Sequence, residues 1–201
     1  TIACGALSGM HAMVSSGTSP KMVEKETQVR MIGYGGMLME SFVAIMALAA
    51  AVSLSPGIYF SMNTSTATMN KIAGPETVAS APCKTTDDPE HHCEKLAEAA
   101  VAKLGVTDAQ GRKLNPEWDS WDDQGNPKTY TGAEALERLA SDVGEPNVVS
   151  RTGGAPTLSV GIAHILHQIG GGRAMMGFWY HFAIMFEALF ILSAVDAVTR
   201  V

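Results

Sequence analysis

Charge is what this chain has too little of. Lys, Arg, Asp and Glu make up 17% of its 201 residues, where about a quarter is usual for a soluble domain. The deficit is uneven, because residues 55–173 hold 15 of the 20 acids and 10 of the 14 bases. A hydrophilic block between apolar flanks argues against a single soluble globule and against an intrinsically disordered chain. There is no basic cluster, and the formal net charge is −6, so the footprint of a nucleic-acid binder is missing. No nucleophile elbow, phosphate loop, dinucleotide fingerprint or Ser/His/Asp arrangement occurs. The chain opens on Thr1 and closes on Val201 directly after an apolar run. It reads as an internal piece of a longer polypeptide, whose ends carry no targeting information.

What is present is a succession of membrane and aqueous segments. Residues 31–54 carry a single charge, Glu40, and are long enough as a helix to cross a hydrocarbon core of about 30 Å. Residues 174–198 form a second spanning run, interrupted in its middle only by His181 and Glu187 and opening on Phe178, Trp179 and Tyr180 like an interfacial aromatic belt. Residues 1–20 lack Lys, Arg, Asp and Glu and are rich in Gly, Ser and Thr. They are expected to be a partial span, broken near Ser15 to Pro20. The connector 21–30 carries Lys21, Lys25 and Arg30, which places it in the cytoplasm by the bias of short loops. Parity then puts residues 55–155 outside and returns the last span to the cytoplasm at Arg200. The apolar stretch 156–170 is too short to cross and is read as a re-entrant or lid helix.

The outer block has patterning of its own. Asp88 and Pro89 look like a helix start, followed by Cys93, Leu96, Ala100 and Leu104 at helical spacing. Thr131 and Glu134 make a capping box before Leu136, Leu139 and Val143, with Gly144 as the stop. The two helices are expected to pack on each other or on the membrane domain. The stretch NPEWDSWDDQGNPKTY between them is turn-rich and expected to be irregular. His164 and His167, and the group Cys83, His91, His92 and Cys93, invite a metal reading, but neither has the spacing of a zinc site. A periplasmic location of the block favours a Cys83–Cys93 disulfide instead.

Within the spans the polar residues stand out. Gly33, Gly36, Glu40, Ala44, Ala47 and Ala51 share one face of the first long helix, while Tyr34, Leu38, Phe42, Ile45, Leu48 and Val52 line another. Glu40 therefore faces protein or a water-filled cavity. A charge at the bilayer centre costs about 2.5 to 3.5 kcal/mol on insertion scales, which is tolerated where ions or protons are moved. A hydrogen-bonded carboxyl that only holds helices together is the competing reading. Glu187, on a face with Ala183 and Ala194, poses the same choice. His181 is read as interfacial, and Asp196 with Arg200 as a structural ion pair. In the first segment Gly5, Ser8, Gly9, Ala12 and Ser16 form a small, polar stripe beside His11. Such a helix either packs closely or unwinds to offer backbone groups to a ligand.

The runs GALSGMHAMVSSGTSPKM at 5–22, QVRMIGYGGMLMESFVAIMAL at 28–48, SRTGGAPTLSVGIAHIL at 150–166 and FWYHFAIMFEALFILSAVDAVTR at 178–200 closely resemble the carbon starvation protein A family. The resemblance covers the flanks and is much weaker over about 63–147, where Cys83, Cys93, Trp118 and Trp121 read as local additions. It implies a bacterial inner-membrane, multi-pass transporter of peptides, or of pyruvate with protons. The implied fold class is all-α integral membrane: a fragment of a multi-span inverted-repeat transporter of the LeuT-like, APC-superfamily kind, with a long, mostly helical or irregular extracytoplasmic loop. The short helix at 157–169 would belong to a lid over the outer vestibule, giving His164 and His167 a gating position. Ser8, Gly9, His11, Ser15, Ser16, Gly17 and Thr18 are the expected substrate-binding residues, and Glu40 and Glu187 the expected proton carriers. No cofactor beyond the coupling proton is implied, and the partners are a small peptide or pyruvate, membrane lipid and the rest of the same polypeptide. The competing functions are a membrane-embedded metal hydrolase using His164 and His167, and a membrane-anchored sensor or scaffold. Stoichiometric zinc would mark the hydrolase, and an anchor has no use for Glu40.

Overall fold

Between Pro20 and Pro56 the chain has no proline, and most of that interval is one continuous helix. The computed structural model describes residues 14–74, 92–105, 107, 111, 115–122, 124–169 and 172–199. They belong to two compact units, one drawn from residues 1–46 and 185–201, the other from residues 47–184.

In the first unit a π-helical turn, Val14–Thr18, runs into a short α-helix, Ser19–Met22 (α1). Pro20 lies in its first turn, where a missing N–H is tolerated. The expected interruption near Ser15 to Pro20 is thus a change of winding, from i→i+5 to i→i+4, and not an unwound stretch. Glu26–Val52 (α2) follows, 27 residues long and about 40 Å end to end. It starts inside the stretch 21–30 that had been expected to be a loop. Hydropathy marks where a helix enters lipid, whereas Glu26, Thr27 and Gln28 simply continue it into water. Met176–Thr199 (α8) is the second long helix, entering this unit at Met185. Glu26–Val52 and Met176–Ser193 are long and apolar enough to cross a membrane. Their large side chains, among them Tyr34, Leu38, Phe42, Ile45, Phe186, Phe190 and Leu192, are exposed, an apolar surface that suits lipid or the remainder of a larger protein and not water. The hydroxyls of Ser41 and Ser193 donate to the carbonyls of Met37 and Leu189, each at 2.9 Å, so neither is left unpaired in an apolar surrounding.

The second unit contains the end of α2, then Pro56–Asn63 (α3), Thr66–Ala73 (α4), His92–Leu104 (α5), strands Glu117–Trp121 (β1) and Pro127–Thr131 (β2), Ala133–Val143 (α6), Ala155–Ile169 (α7), a 3₁₀ turn Arg173–Met175 and the start of α8. Helices α3 and α4 carry serine caps: Ser55 and Ser65 accept from the amides of Ile58 and Thr68. The core brings together Ile58 and Met62 of α3, Met69 of α4, Leu96 and Ala100 of α5, Leu136, Leu139 and Val143 of α6, Val160 of α7 and Met176 and Tyr180 of α8. The expected packing of α5 against α6 is found. Asp88 and Pro89, the expected start of α5, lie outside the described residues.

Two expectations about this block are corrected. The stretch read as irregular is an antiparallel β-hairpin, in which Trp118 pairs with Tyr130 and Asp119 with Thr129; the chain is not all-α. Glu117, Trp118, Asp119 and Ser120 alternate exposed and buried, the period-two pattern of a half-buried strand. The turn is closed by Asp122, whose carboxylate accepts from the amides of Gln124 (2.9 Å) and Asn126 (2.8 Å). The hydrogen bonds from Asn126, the largest influence, hold that carboxyl below the usual range. The capping box at Thr131 and Glu134 does not form either. The register pairs Thr131 with Glu117, which leaves Gly132, at φ +66°, as the N-cap without a side chain to offer. Glu98 of α5 takes over by accepting from Ala133 N at 3.1 Å, and Glu134 instead meets Lys128 at 3.3 Å.

Two glycines allow backbones to touch. A Cβ on Gly57 would lie 2.3 Å from Pro116 N, and one on Gly161 would lie 2.4 Å from Ala50 O. The second contact joins α7 to the last turns of α2. Gly161→Ala is expected to push the two apart at a cost of about 1–3 kcal/mol. A thermal melt of the detergent-solubilised full-length protein checks this, and an unchanged midpoint would show that α7 does not rest on α2.

Candidate functional site

The sequence points to two places, one in each unit. In the first unit, Ser15, Ser16, Gly17 and Thr18 form most of the π-helical turn, with Ser15 and Ser16 exposed and Thr18 buried. Ser8, Gly9 and His11 lie outside the described residues. π-Helical turns are rare and occur frequently at functional sites, because the extra residue displaces backbone groups from regular pairing. Glu40 is exposed near the middle of α2 and Glu187 half-buried on α8. No hydrogen bond or ion pair joins them among the described residues. His181 lies on the aromatic stretch at the start of α8, its Nδ1 2.8 Å from the Gly177 carbonyl. Arg200, the expected partner of Asp196, lies outside the described residues.

In the second unit the β-hairpin meets α7 through four rings. Trp118 meets His164 at a tilt of 48° with centroids 4.8 Å apart, His164 lies 5.3 Å from His167, and His167 meets Trp121 edge-on at 5.1 Å. The i, i+3 spacing on α7 puts the two imidazoles one turn apart on one face. Their arrangement is set from behind by Asp142 of α6. Its Oδ2 accepts from Trp118 Nε1 at 3.0 Å and from the Ser120 hydroxyl at 2.5 Å. Its Oδ1 lies 3.4 Å from Arg138 Nε. Arg138 also donates to the Trp121 carbonyl, which accepts from the Tyr130 hydroxyl at 3.1 Å as well.

His167 Nδ1 sits 3.3 Å from the carbonyl of Ala163, whereas His164 Nδ1 is buried without a hydrogen-bond partner among the described residues. Burial first, and the neighbouring His167 second, hold the His164 imidazole below its ordinary value, against an upward pull from Asp119. Beside these rings an open cleft of about 340 Å³ is lined by the turn Val52 to Pro56, by Glu117, Trp118 and Asp119 of β1, and by His164.

Two of these features were invisible at the level of sequence. Trp118 and Trp121 read as local additions, yet they are the rings on which the histidines rest. Asp142 attracted no notice because its partners lie 22 and 24 residues away. The alternation in Glu117 to Ser120 was the available signal for the strand. Among the described residues no group of three or more His, Cys, Asp or Glu side chains is placed to hold a metal ion, so His164 and His167 stand as a pair. Cys93 is disulfide-bonded, and Cys83 lies outside the described residues.

Comparison with known proteins decides the family. The model of the carbon starvation protein CstA family matches residues 1–114 and 120–201. The chain belongs to the carbon starvation protein CstA family. It is 48% identical over 200 residues to the peptide transporter CstA of Escherichia coli (strain K12), covering all of this chain and 23% of that protein. It is 47% identical to the pyruvate/proton symporter BtsT of the same organism, covering 25% of it, and 46% identical to the peptide transporter CstA of Mycobacterium tuberculosis (strain ATCC 25618 / H37Rv), covering 21%. The chain thus spans roughly a quarter of the length of these relatives, which are named as transporters and not as enzymes. No solved structure matches. The family model takes in the outer block as well as the flanks, with a gap at 115–119. That gap contains Trp118 and Asp119.

Proposed function

We propose that the full-length protein is a proton-coupled secondary transporter that imports short peptides or pyruvate across the bacterial inner membrane. The observation that carries this reading is identity of 46–48% across the whole of this chain to relatives named peptide transporter and pyruvate/proton symporter. In this reading the protein is multi-pass and built from two inverted five-helix repeats, and this chain supplies part of one wall of the substrate path. The segment from Ser8 to Thr18, including Gly9, His11, Ser15, Ser16 and Gly17, contributes to the substrate site. The π-helical winding over Val14–Thr18 supports this, because displaced backbone groups are what a substrate's polar ends require. Glu40 and Glu187 carry the coupling proton, for which ionisable groups within spans are suited. The proton is the only co-substrate, and the rest of the polypeptide completes the site.

In the same topology residues 55–155 lie on the outer face, and a Cys83–Cys93 disulfide closes residues 83–93 in an oxidising compartment. Uptake of labelled pyruvate and of a labelled dipeptide by cells that express the full-length protein separates the two substrate classes. Saturable uptake of one of them, lost when a protonophore is added, is the expected result. Cells that take up neither faster than cells lacking the protein would sink the reading.

A further inference from the structure

One edge of β1 pairs with β2, and its other edge has no strand beside it among the described residues. The backbone groups it offers follow from the ladder. Gly132 N donates to Pro116 O and Asp122 N to Asn126 O, each at 2.8 Å, so residues 116, 118, 120 and 122 face β2, while Glu117, Asp119 and Trp121 turn their N–H and C=O to the outer edge. Glu117 agrees with this phase, since its N–H donates to the Ser55 hydroxyl oxygen at 3.0 Å. The cleft lined by Ser55, Glu117, Trp118, Asp119 and His164 lies at this edge. We propose that the outer edge of β1 is a binding site for a short peptide with a free ammonium terminus, which joins the hairpin at Asp119 as a third strand.

The open stretch is short. At one end the Glu117 N–H is taken by Ser55, and at the other the Trp121 carbonyl is taken by the Tyr130 hydroxyl and by Arg138. Between them the Glu117 carbonyl and both backbone groups of Asp119 have no hydrogen-bond partner among the described residues. An added residue opposite Asp119 would exchange two bonds with it, and a residue two positions along, about 7 Å away, would reach the Glu117 carbonyl. About three residues of peptide therefore satisfy the edge, and a longer strand finds little more to pair with. The cleft volume of about 340 Å³ agrees, lying at the small end of the range of about 300–1,000 Å³ for ligand pockets. An open edge is ordinarily a liability that proteins limit by shortness and charge. Here the same two features select what can bind.

Charge decides the occupant. Glu117 and Asp119 are both on the exposed face of β1, and no Lys or Arg lines the cleft. The Thr129 hydroxyl engages Asp119 Oδ1 at 2.6 Å, which leaves Oδ2 for a ligand. The turn Val52 to Pro56 adds the C-terminal end of α2, where the last carbonyls of a helix carry partial negative charge. An ammonium terminus is attracted to such a place, and the amides behind it supply the bonds that strand addition requires. Pyruvate is an anion without an N–H and is repelled. Glu117, Trp118 and Asp119 fall in the gap of the family match, so a preference seated there is this chain's own. That the peptide held at the edge is one to be carried across the membrane rests on the transporter reading, whereas binding at the edge does not.

Hydrogen exchange of residues 116–122 in the full-length protein in nanodiscs, with trialanine, N-acetyl-trialanine or pyruvate added, reads occupancy of the edge without a transport assay. Trialanine is expected to slow exchange there severalfold, at a severalfold lower concentration than its acetylated form, and pyruvate to have no effect. The double variant Glu117→Gln, Asp119→Asn keeps every backbone group, so the two peptides should become equally effective. Asp119→Pro removes the outward N–H without touching the ladder to β2, and trialanine should then no longer slow exchange. If the proline variant fails to fold, the double variant carries the test: a preference for trialanine as large as that of the wild type would overturn the proposal. Exchange in the wild type that trialanine leaves unchanged would overturn it too, and if that exchange is slow from the start, another part of the polypeptide covers the edge. Equal slowing by pyruvate would also sink it. Protection by trialanine in a protein that takes up neither substrate would leave the edge site standing and remove the transporter reading. Uptake of a dipeptide without any such protection would do the reverse.

Discussion

Glu40→Gln and Glu187→Gln, each introduced into the full-length protein, are expected to reduce proton-driven accumulation of substrate to background while leaving the protein folded and in the membrane. The expectation comes from what surrounds these carboxylates in the sequence. Glu40 is the only charge between Met31 and Leu54, and Glu187 the only acid between Ala174 and Val195. A permanent charge in mid-membrane costs about 2.5 to 3.5 kcal/mol, so each group is best accommodated by taking up and releasing a proton. Glutamine keeps the size and the hydrogen-bonding capacity but cannot release one. If the two residues merely hold helices together, glutamine would do so as well. Accumulation against a gradient, measured beside exchange of substrate across the membrane at equilibrium, separates the outcomes. Loss of the first with retention of the second assigns the proton to the mutated residue. Undiminished accumulation in both variants removes these residues from coupling.

The largest expected effect on stability falls at Asp142. Its side chain is buried and takes up the indole N–H of Trp118, the hydroxyl of Ser120 and the guanidinium of Arg138. Asp142→Ala removes the acceptor of the Trp118 indole N–H and the Ser120 hydroxyl and the ion-pair partner of Arg138, which keeps its bond to the Trp121 carbonyl. Removing one partner of a buried ion pair costs about 3–5 kcal/mol, and a further orphaned donor about 1–3 kcal/mol. Asp142→Asn keeps an acceptor oxygen for Trp118 or Ser120 and loses mainly the charge, so it should be milder. Limited proteolysis of the full-length protein in membranes provides the measurement. Cleavage within 106–132 should accelerate strongly for the alanine variant and modestly for the asparagine variant. Equal resistance of both variants and the wild type would show that Asp142 does not hold the hairpin in place.

The flanks were legible in the sequence because lipid imposes a simple rule. A span must bury its backbone groups internally and show apolar side chains on every side, and long runs without charge can meet that demand only as helices. Glu26–Val52 and Met176–Thr199 were accordingly found, with ends displaced because helix and lipid boundaries differ. The outer block obeys no such single rule. Its hairpin was hidden by Asn115, Pro116, Asp122, Gly125 and Asn126, which are turn formers in isolation and here frame two five-residue strands. The failure of the capping box has the same origin: Thr131 was claimed by the sheet register before it could cap a helix. Pairing at long range, as between Glu98 and Ala133 or Asp142 and Trp118, leaves no periodic trace.

The candidate sites divide along the same line. Glu40 and Glu187 were conspicuous because a carboxylate in an apolar run has no background to hide in. His164 and His167 were visible as a pair, but the spacing alone suits a metal, a gate or an interface equally. Only the positions of Trp118, Trp121 and Asp119 give the pair its chemistry, and those residues come from a strand that had to be seen first.

The central claim is that this chain is part of a machine that spends a proton gradient to move a small substrate. Full-length protein reconstituted in proteoliposomes, with the outer medium made acid relative to the lumen, tests that claim most directly. Labelled pyruvate or a labelled dipeptide should accumulate in the lumen above its outside concentration, and a protonophore should abolish the excess. Entry that only equilibrates, or no entry of either substrate with the gradient imposed, would contradict it.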